Sequence, residues 1–307
     1  MKGTLRQCFD VLPGMAFMRT PKLWKDYELI DCSEGERLEK WGDIILIRPD
    51  PQVIWKTEKK SPLWNKAHAR YIRSNSGGGR WEVYEKMPDE WNVSYRDLTF
   101  HIKTMGFKHT GLFPEQASNW DILDKMIRDA KRPVKVLNLF SYTGGATIAC
   151  LKAGADVTHV DASKGMVSWA KENAVLSGVQ DKNVRWLVDD CIKFVKREIR
   201  RGNKYDILIM DPPSYGRGPN GEVWRLEDEV YSFVELCSEL LHKDSLALLI
   251  NSYTTGLSPS VMEYILASVI NPKIEGDLIS EEIGLRCTSS GMAVPCGATS
   301  IWRNRNV

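Results

Sequence analysis

The chain has 307 residues, with 42 Lys and Arg against 40 Asp and Glu, 43% hydrophobic residues and 27% charged ones. That is the make-up of an ordinary globular protein long enough for two domains. No run of about 18 apolar residues occurs and no basic segment leads into an apolar signal core, which excludes a membrane span and an exported precursor and predicts a soluble, cytoplasmic chain. The net charge of +2 says little about partners by itself.

The seven cysteines, Cys8, Cys32, Cys150, Cys191, Cys237, Cys287 and Cys296, are scattered and contain no C-x-x-C pair. Reduced thiols and no metal site are expected.

From Tyr27 to about Phe113 the signals are those of strands, in the stretches DIILIRP, QVIWK, RWEVYE, WNVSYRD and LTFHIK between Pro, Gly and Asp. A small β-rich domain over residues 1–115 is predicted. Within it, Lys56, Lys59, Lys60, Lys66, Arg70, Arg73 and Arg80 face one acid of the same segment, Glu58, with Trp55, Trp64, Tyr71 and Trp81 interleaved. Cations that track phosphates and rings that stack on bases suit single-stranded nucleic acid. A solvated face over packed tryptophans is the competing account. The glycine-rich Ser74 to Gly79 stretch reads as a loop.

Residues 116–307 alternate between helical and strand patterns, the signature of an α/β sheet. A helix is predicted over Trp120 to Ala130, ended before Pro133. Val134 to Phe140 is a short apolar strand, broken by Ser141, Tyr142, Thr143, Gly144 and Gly145. A helix from Ala146 to Ala153 stops at Gly154, and a second strand closes on Asp161. Further helices are predicted over 164–176, 191–199, 226–241 and 260–269. Strands are predicted over 184–188, 205–210 and 246–250, with more strands at the C-terminus.

Ligands of open α/β sheets bind beyond the carboxyl ends of the strands. Acids close strands two, three and four here, and each type suits a distinct task. Asp161, seventeen residues after Gly144, is placed to accept the two hydroxyls of a ribose. Asp190 can accept from an exocyclic amine. Asp211-Pro212-Pro213 offers a carboxylate and carbonyls without competing proline N–H groups, so it would hold an N–H donor, with Tyr215 as a stacking face.

With these residues in view, the chain resembles the class I S-adenosylmethionine-dependent methyltransferases, and especially bacterial large-subunit ribosomal RNA methyltransferases acting on cytosine C5 or guanine N7. The carriers are GLFPEQ, VLNLFSYTGGATIACLKAGA, VTHVDASKGMVSWAKENAVLSG, the acid of VDDCIKF, and DPPSYGRGPNGEVW. The resemblance implies a Rossmann-like, doubly wound sheet of seven strands that binds S-adenosyl-L-methionine. It places Phe140, Ser141, Tyr142, Thr143 and Gly144 around the methionine part, with Gln116 reaching its carboxylate. It assigns the ribose to Asp161 supported by Ser163, the adenine to Asp190 and Cys191, and the methyl acceptor to Asp211, Pro212, Pro213 and Tyr215. For Asn173 it implies a supporting role, against a plain surface asparagine. Ribosomal RNA becomes the expected partner, with no membrane and no metal, and homo-oligomerisation stays open.

One departure bears on chemistry. Cytosine-C5 transfer needs a thiolate that adds to the ring, and Ser214 and Ser252 stand where such a cysteine is wanted. Cys296 is the remaining candidate, with a buried strand cysteine as the alternative. Direct transfer to a ring nitrogen or an exocyclic amine needs no covalent catalyst. Also open are a protein or small-molecule acceptor, a non-catalytic RNA-binding relative, and a nicotinamide dehydrogenase.

Overall fold

A computed structural model describes residues 18–74, 78–217, 223–254 and 256–307. Asn75, Ser76 and Gly77 of the predicted glycine loop, residues 218–222 of the GRGPNGE stretch and Cys8 lie outside the described residues.

The chain opens with β1 (Met18–Arg19), β2 (Tyr27–Ser33), β3 (Glu36–Trp41), β4 (Ile44–Pro49), β5 (Ala69–Arg73), β6 (Gly79–Val83), β7 (Glu90–Tyr95) and β8 (Leu98–Lys103). There follow α1 (Ala117–Asp129), β9 (Lys135–Leu139), α2 (Gly145–Ala153), β10 (Asp156–Asp161), α3 (Lys164–Leu176), β11 (Val184–Val188), α4 (Cys191–Arg200) and β12 (Ile207–Met210). The short pair β13 (Tyr215–Arg217) and β14 (Val223–Arg225) leads to α5 (Leu226–Ser238), β15 (Ala247–Ser252), α6 (Pro259–Ile270), β16 (Gly276–Arg286) and β17 (Ala293–Asn304).

The main sheet has the order β1-β16-β17-β15-β12-β9-β10-β11. Strands β9, β10, β11, β12 and β15 run parallel, and β17 is antiparallel between β15 and β16. Seven of these strands are the doubly wound sheet expected. The eighth, β1, is a two-residue edge strand parallel to β16, too short to leave a hydropathy signal. Alternate residues of the central strands feed two cores. Val136, Ile207 and Leu249 pack with Trp120, Tyr95 and Phe100, while Leu137, Leu208 and Ile250 pack with Phe194 and Phe233. Strands buried on both faces read as continuous apolar runs, which is why they were legible. The first core continues through Val93 and Trp41 into the five-stranded sheet β2-β3-β4-β5-β6, so the β-rich region lies against one face of the main sheet.

The chain begins its parallel strands in the middle, at β9, winds outward to β11 and then crosses back to β12. The order therefore reverses between β9 and β12, where the connections diverge and leave a crevice. The loop after β9 and Asp211 after β12 meet there, the Asp211 amide donating to the Leu139 carbonyl at 3.4 Å.

One predicted strand is absent. Gln52 to Lys56 begins in a turn and joins no sheet; its Val53 and Trp55 carbonyls accept from Gly35 and Glu34 at the turn between β2 and β3 (2.7 and 2.9 Å). Ile54 in this stretch is 88% exposed, which the apolar pattern does not reveal.

Candidate active site

The loop from Phe140 to Gly144 is built under constraint. Phe140 and Tyr142 have φ of +55° and +50°, a left-handed region that aromatic residues rarely adopt and that costs on the order of 1–3 kcal/mol each. The surrounding hydrogen bonds hold them there. The Phe140 amide donates to Cys191 Sγ (3.4 Å), Ser141 N–H to the Val160 carbonyl (3.1 Å) and Tyr142 N–H to Asp161 Oδ2 (2.8 Å). Ser141 Oγ donates to the Asn138 carbonyl (2.7 Å), and Thr143 Oγ1 to that of Gly111 (2.5 Å). Asn173 is fully buried. Its amide donates to the Thr143 carbonyl (2.9 Å) while its Oδ1 accepts from the His101 N–H (2.7 Å), so it is a support for the loop and not a surface asparagine.

The glycines serve packing. A Cβ on Gly144, whose φ is +87°, would sit 2.9 Å from Ala170 Cβ, and one on Gly145 would sit 2.6 Å from the Trp120 ring. At both positions the missing side chain makes room for the close approach of α3 and α1.

A cleft of about 1090 Å³ opens beyond the strand ends, larger than the ~300–1,000 Å³ typical of one ligand. Asp161, Asp190 and Asp211 all line it, as their strand-end positions require. Asp161 Oδ1 accepts from the Ser163 N–H (2.8 Å) and Oδ2 from Tyr142, leaving each oxygen one further acceptor site. Burial raises its pKa, and those two amides pull it back. Ser163 caps α3 through Met166 N–H (3.4 Å), and Asp190 caps α4 through Lys193 N–H (2.8 Å) with its second oxygen uncommitted to the cap. Cys191 is the first residue of α4, and burial pushes its thiol pKa up.

Gln116 lies beneath the loop rather than in the cleft. Its Nε2 donates to Tyr253 Oη (2.7 Å) and its Oε1 accepts from Asn119 (2.7 Å). A cavity of about 50 Å³ lies there, bounded by Gln116, Asn119, Ser141, Thr143 and Asp211, and Asn119 Oδ1 is buried with no partner among the described residues.

Asp211 stands between the small cavity and the cleft. No hydrogen bond from the described residues relieves its carboxylate, and burial and then the nearby Glu115 push its pKa up to about 7. Glu115 is itself raised by burial, against hydrogen bonding from Tyr253. Of the two proline carbonyls, that of Pro213 is already taken by the Trp224 indole N–H (2.7 Å), so fewer acceptors face the cleft than the sequence suggested. Pro212 and Pro213 line the cleft. Tyr215 does not, because it belongs to the β13–β14 pair and is half exposed.

The basic run Lys56 to Arg80 does not line the cleft. Lys56 pairs with Glu34 (3.0 Å), Lys59 and Arg70 with Glu36 (3.1 and 2.7 Å), Lys60 with Glu58 (3.6 Å) and Arg80 with Glu82 (2.7 Å). The basic run is thus largely answered by acids from the β2–β3 turn, β3 and β6, which its own sequence does not contain. Trp64 and Trp81 are committed as well, donating to Asp31 and to the Met105 carbonyl (both 2.9 Å). The cleft wall carries Arg37, Arg48 and Lys108 instead, together with Tyr253 and with Glu115 of the GLFPEQ stretch. Cys296 does reach the wall, but burial pushes its thiol up to about 12, with Arg37 opposing. Ser214 and Ser252 are engaged with Thr254 (2.6 and 3.2 Å), and Cys287 is fully buried against Cys32, away from the cleft wall.

These acceptors fit S-adenosylmethionine. Two acids with spare acceptor sites suit a ribose and an adenine amine, and the unpartnered Asn119 Oδ1, in a cavity that also holds Gln116, Ser141 and Thr143, suits the amino-acid end.

Comparison with known proteins agrees. A solved S-adenosylmethionine-dependent methyltransferase from Agrobacterium tumefaciens superposes with a TM-score of 0.87 at 36% identity, over 94% of this chain and 93% of that one. The ribosomal RNA large subunit methyltransferase K/L of Shewanella baltica is 32% identical over 159 residues, 52% of this chain and 21% of that protein. Ribosomal RNA large subunit methyltransferase I of Aeromonas salmonicida is 37% identical over 107 residues, 34% of this chain and 26% of that protein. The chain therefore spans about a fifth to a quarter of the length of the curated relatives it matches. The family model for S-adenosylmethionine-dependent methyltransferases matches residues 60–257, and the chain belongs to that family.

Proposed function

We propose that the protein methylates a base of RNA, ribosomal RNA first among the candidates, by direct transfer to a nitrogen. The observation that carries this is Asp211, a half-buried carboxyl without a partner among the described residues, standing where the cleft's strand-end acids give way to its arginines and aromatic rings. S-adenosylmethionine, when bound, supplies an electrophilic methyl on a sulfonium. Asp161 and Asp190 hold the ribose and adenine in this reading, and Gln116 with the loop at Ser141 to Thr143 encloses the amino-acid end.

Asp211 and the Pro212 carbonyl accept from the N–H of the acceptor nitrogen, which orients its lone pair and offsets the positive charge it gains. With a pKa near 7 the carboxyl is also poised to take the proton. A covalent route through a thiolate is disfavoured by the protonated state of Cys296 at neutral pH. The described residues before 116 contribute the acceptor-side wall in this division of labour, and 116–307 the cofactor side. The relatives' names support RNA as substrate. Transfer of a tritiated methyl to total RNA and to soluble protein tests the reading. Label in protein alone, or lost only on protease treatment, would overturn it.

A further inference from the structure

Residues 104–113 carry the chain from β8 past the mouth of the cleft, and their side chains form a graded series. Phe107, 43% exposed, meets the His109 ring at 5.6 Å. His109 meets Phe113 at 5.1 Å, and Phe113 meets Tyr253 at 5.7 Å, on the wall that also holds Asp211. The rings therefore run unbroken from rim to floor. Burial, then Arg48, Lys108 and Arg73, depress the His109 pKa to about 3, so at neutral pH it is a flat, uncharged ring.

Lys108 lies between two of these rings in sequence and is partly buried. Arg48 is answered by Glu39 (2.5 Å) and Arg37 by Asp50. Neither Lys108 nor Arg73 forms an ion pair among the described residues, and Asp50, the acid that acts on Lys108, is already paired with Arg37. Burial and then Arg48 and Arg73 hold the lysine pKa down, which marks a local excess of positive potential that an anion would relieve. Stacking faces beside an unanswered cation match a nucleotide, whose base is flat and whose phosphate is anionic.

We infer that Phe107, Lys108 and His109 form a subsite for an unpaired nucleotide adjoining the acceptor base, with its phosphate at Lys108 and its base on the Phe107–His109 edge. Phe113 and Tyr253 then receive the acceptor base at the floor. A base inside a duplex reaches neither the floor nor these rings, so the substrate is single-stranded at this position. The inference rests on the RNA reading above, and names the strand's form and its contacts.

Fluorescence anisotropy with a short single-stranded RNA and with its annealed duplex, on the whole protein across a salt series, tests it. Lys108→Ala is expected to weaken single-strand binding about tenfold and to flatten the log–log salt slope by about 0.7, the share of one phosphate. Lys108→Arg should restore the slope. Phe107→Ala should weaken binding at least about fivefold with the slope unchanged. S-adenosylhomocysteine affinity by calorimetry should stay at the wild-type value throughout, showing that the variants fold. The exposed pair Lys196→Ala and Arg200→Ala on α4 should change nothing. A wild-type slope in Lys108→Ala, wild-type affinity in Phe107→Ala, or duplex bound as tightly as single strand would overturn the subsite. If tritium reaches RNA yet these variants behave as wild type, the subsite falls and the RNA reading stands. If the binding signatures appear but label goes only to protein, the reverse holds.

Discussion

Asp211→Asn separates the cost of a buried charge from its use. The folded protein keeps the Asp211 proton up to about pH 7, whereas an unfolded aspartate releases it near pH 3.9. Between those values the native state binds more protons than the unfolded state, so unfolding free energy falls as pH rises, by up to ~1.4 kcal/mol per pH unit and ~4 kcal/mol in all. The asparagine variant lacks this proton. Measured by chemical denaturation across a pH series, its stability should equal or fall below that of the wild type at pH 4 and exceed it by up to ~4 kcal/mol at pH 8. Glu115 then faces one charge fewer, which adds in the same direction. Methyl transfer in a single turnover should nonetheless drop by ~10²-fold or more, since asparagine cannot take the acceptor's proton. Parallel stability curves for the two proteins would show that Asp211 carries no buried charge, and unimpaired turnover would remove it from the chemistry.

Asp161→Ala should lower S-adenosylmethionine affinity by about 5- to 150-fold in calorimetry, from loss of charged hydrogen bonds worth ~1–3 kcal/mol; unchanged affinity refutes its assignment to the ribose. Cys296→Ser and Cys287→Ser should leave single-turnover methylation almost unaltered, and a folded, cofactor-binding but dead variant would reinstate a covalent C5 mechanism. Replacing Lys59, Lys60, Arg70 and Arg73 together with Ala should flatten the RNA salt slope no more than Arg73→Ala alone, because Glu36 and Glu58 already answer the other three.

That last expectation shows where sequence reasoning stops. The helix over 164–176 and the strand over 184–188 are found with the predicted bounds. They are legible because a β-branched run closed by acids, the glycine turn at Gly178 and the caps Ser163 and Asp190 are all local signals. Asp161, Asp190 and Asp211 likewise converge because strand ends of one parallel sheet must. The field around the basic run was not legible, since Glu34 and Glu36 reach it only through the pairing of β2 with β3. The short edge strand β1 left no pattern, and Gln52 to Lys56 carried a strand pattern without a strand partner. Tyr215 followed the acid-proline turn in sequence but was drawn into a hairpin, while Tyr253, after β15, took the place beside Asp211.

The two halves of the site are also fastened to each other. Thr143 Oγ1 holds the Gly111 carbonyl, and Asn173 ties the Thr143 carbonyl to the His101 amide. Trp169 on the same helix donates to the His101 carbonyl (2.9 Å), and its ring fills the space that a side chain at Gly111 would need. The segment that carries the Phe107, His109 and Phe113 rings is thus bolted at both ends to the loop Phe140 to Gly144, which the proposal assigns to the cofactor. Such buried, satisfied bonds are costly to break, about 1–3 kcal/mol for each group left unpaired. The strained φ angles of Phe140 and Tyr142 are sustained by this frame. The loop and the wall opposite therefore keep a fixed mutual position, as the proposed direct transfer would require: without a covalent intermediate to hold the acceptor, the alignment of nitrogen and methyl would have to come from the protein alone.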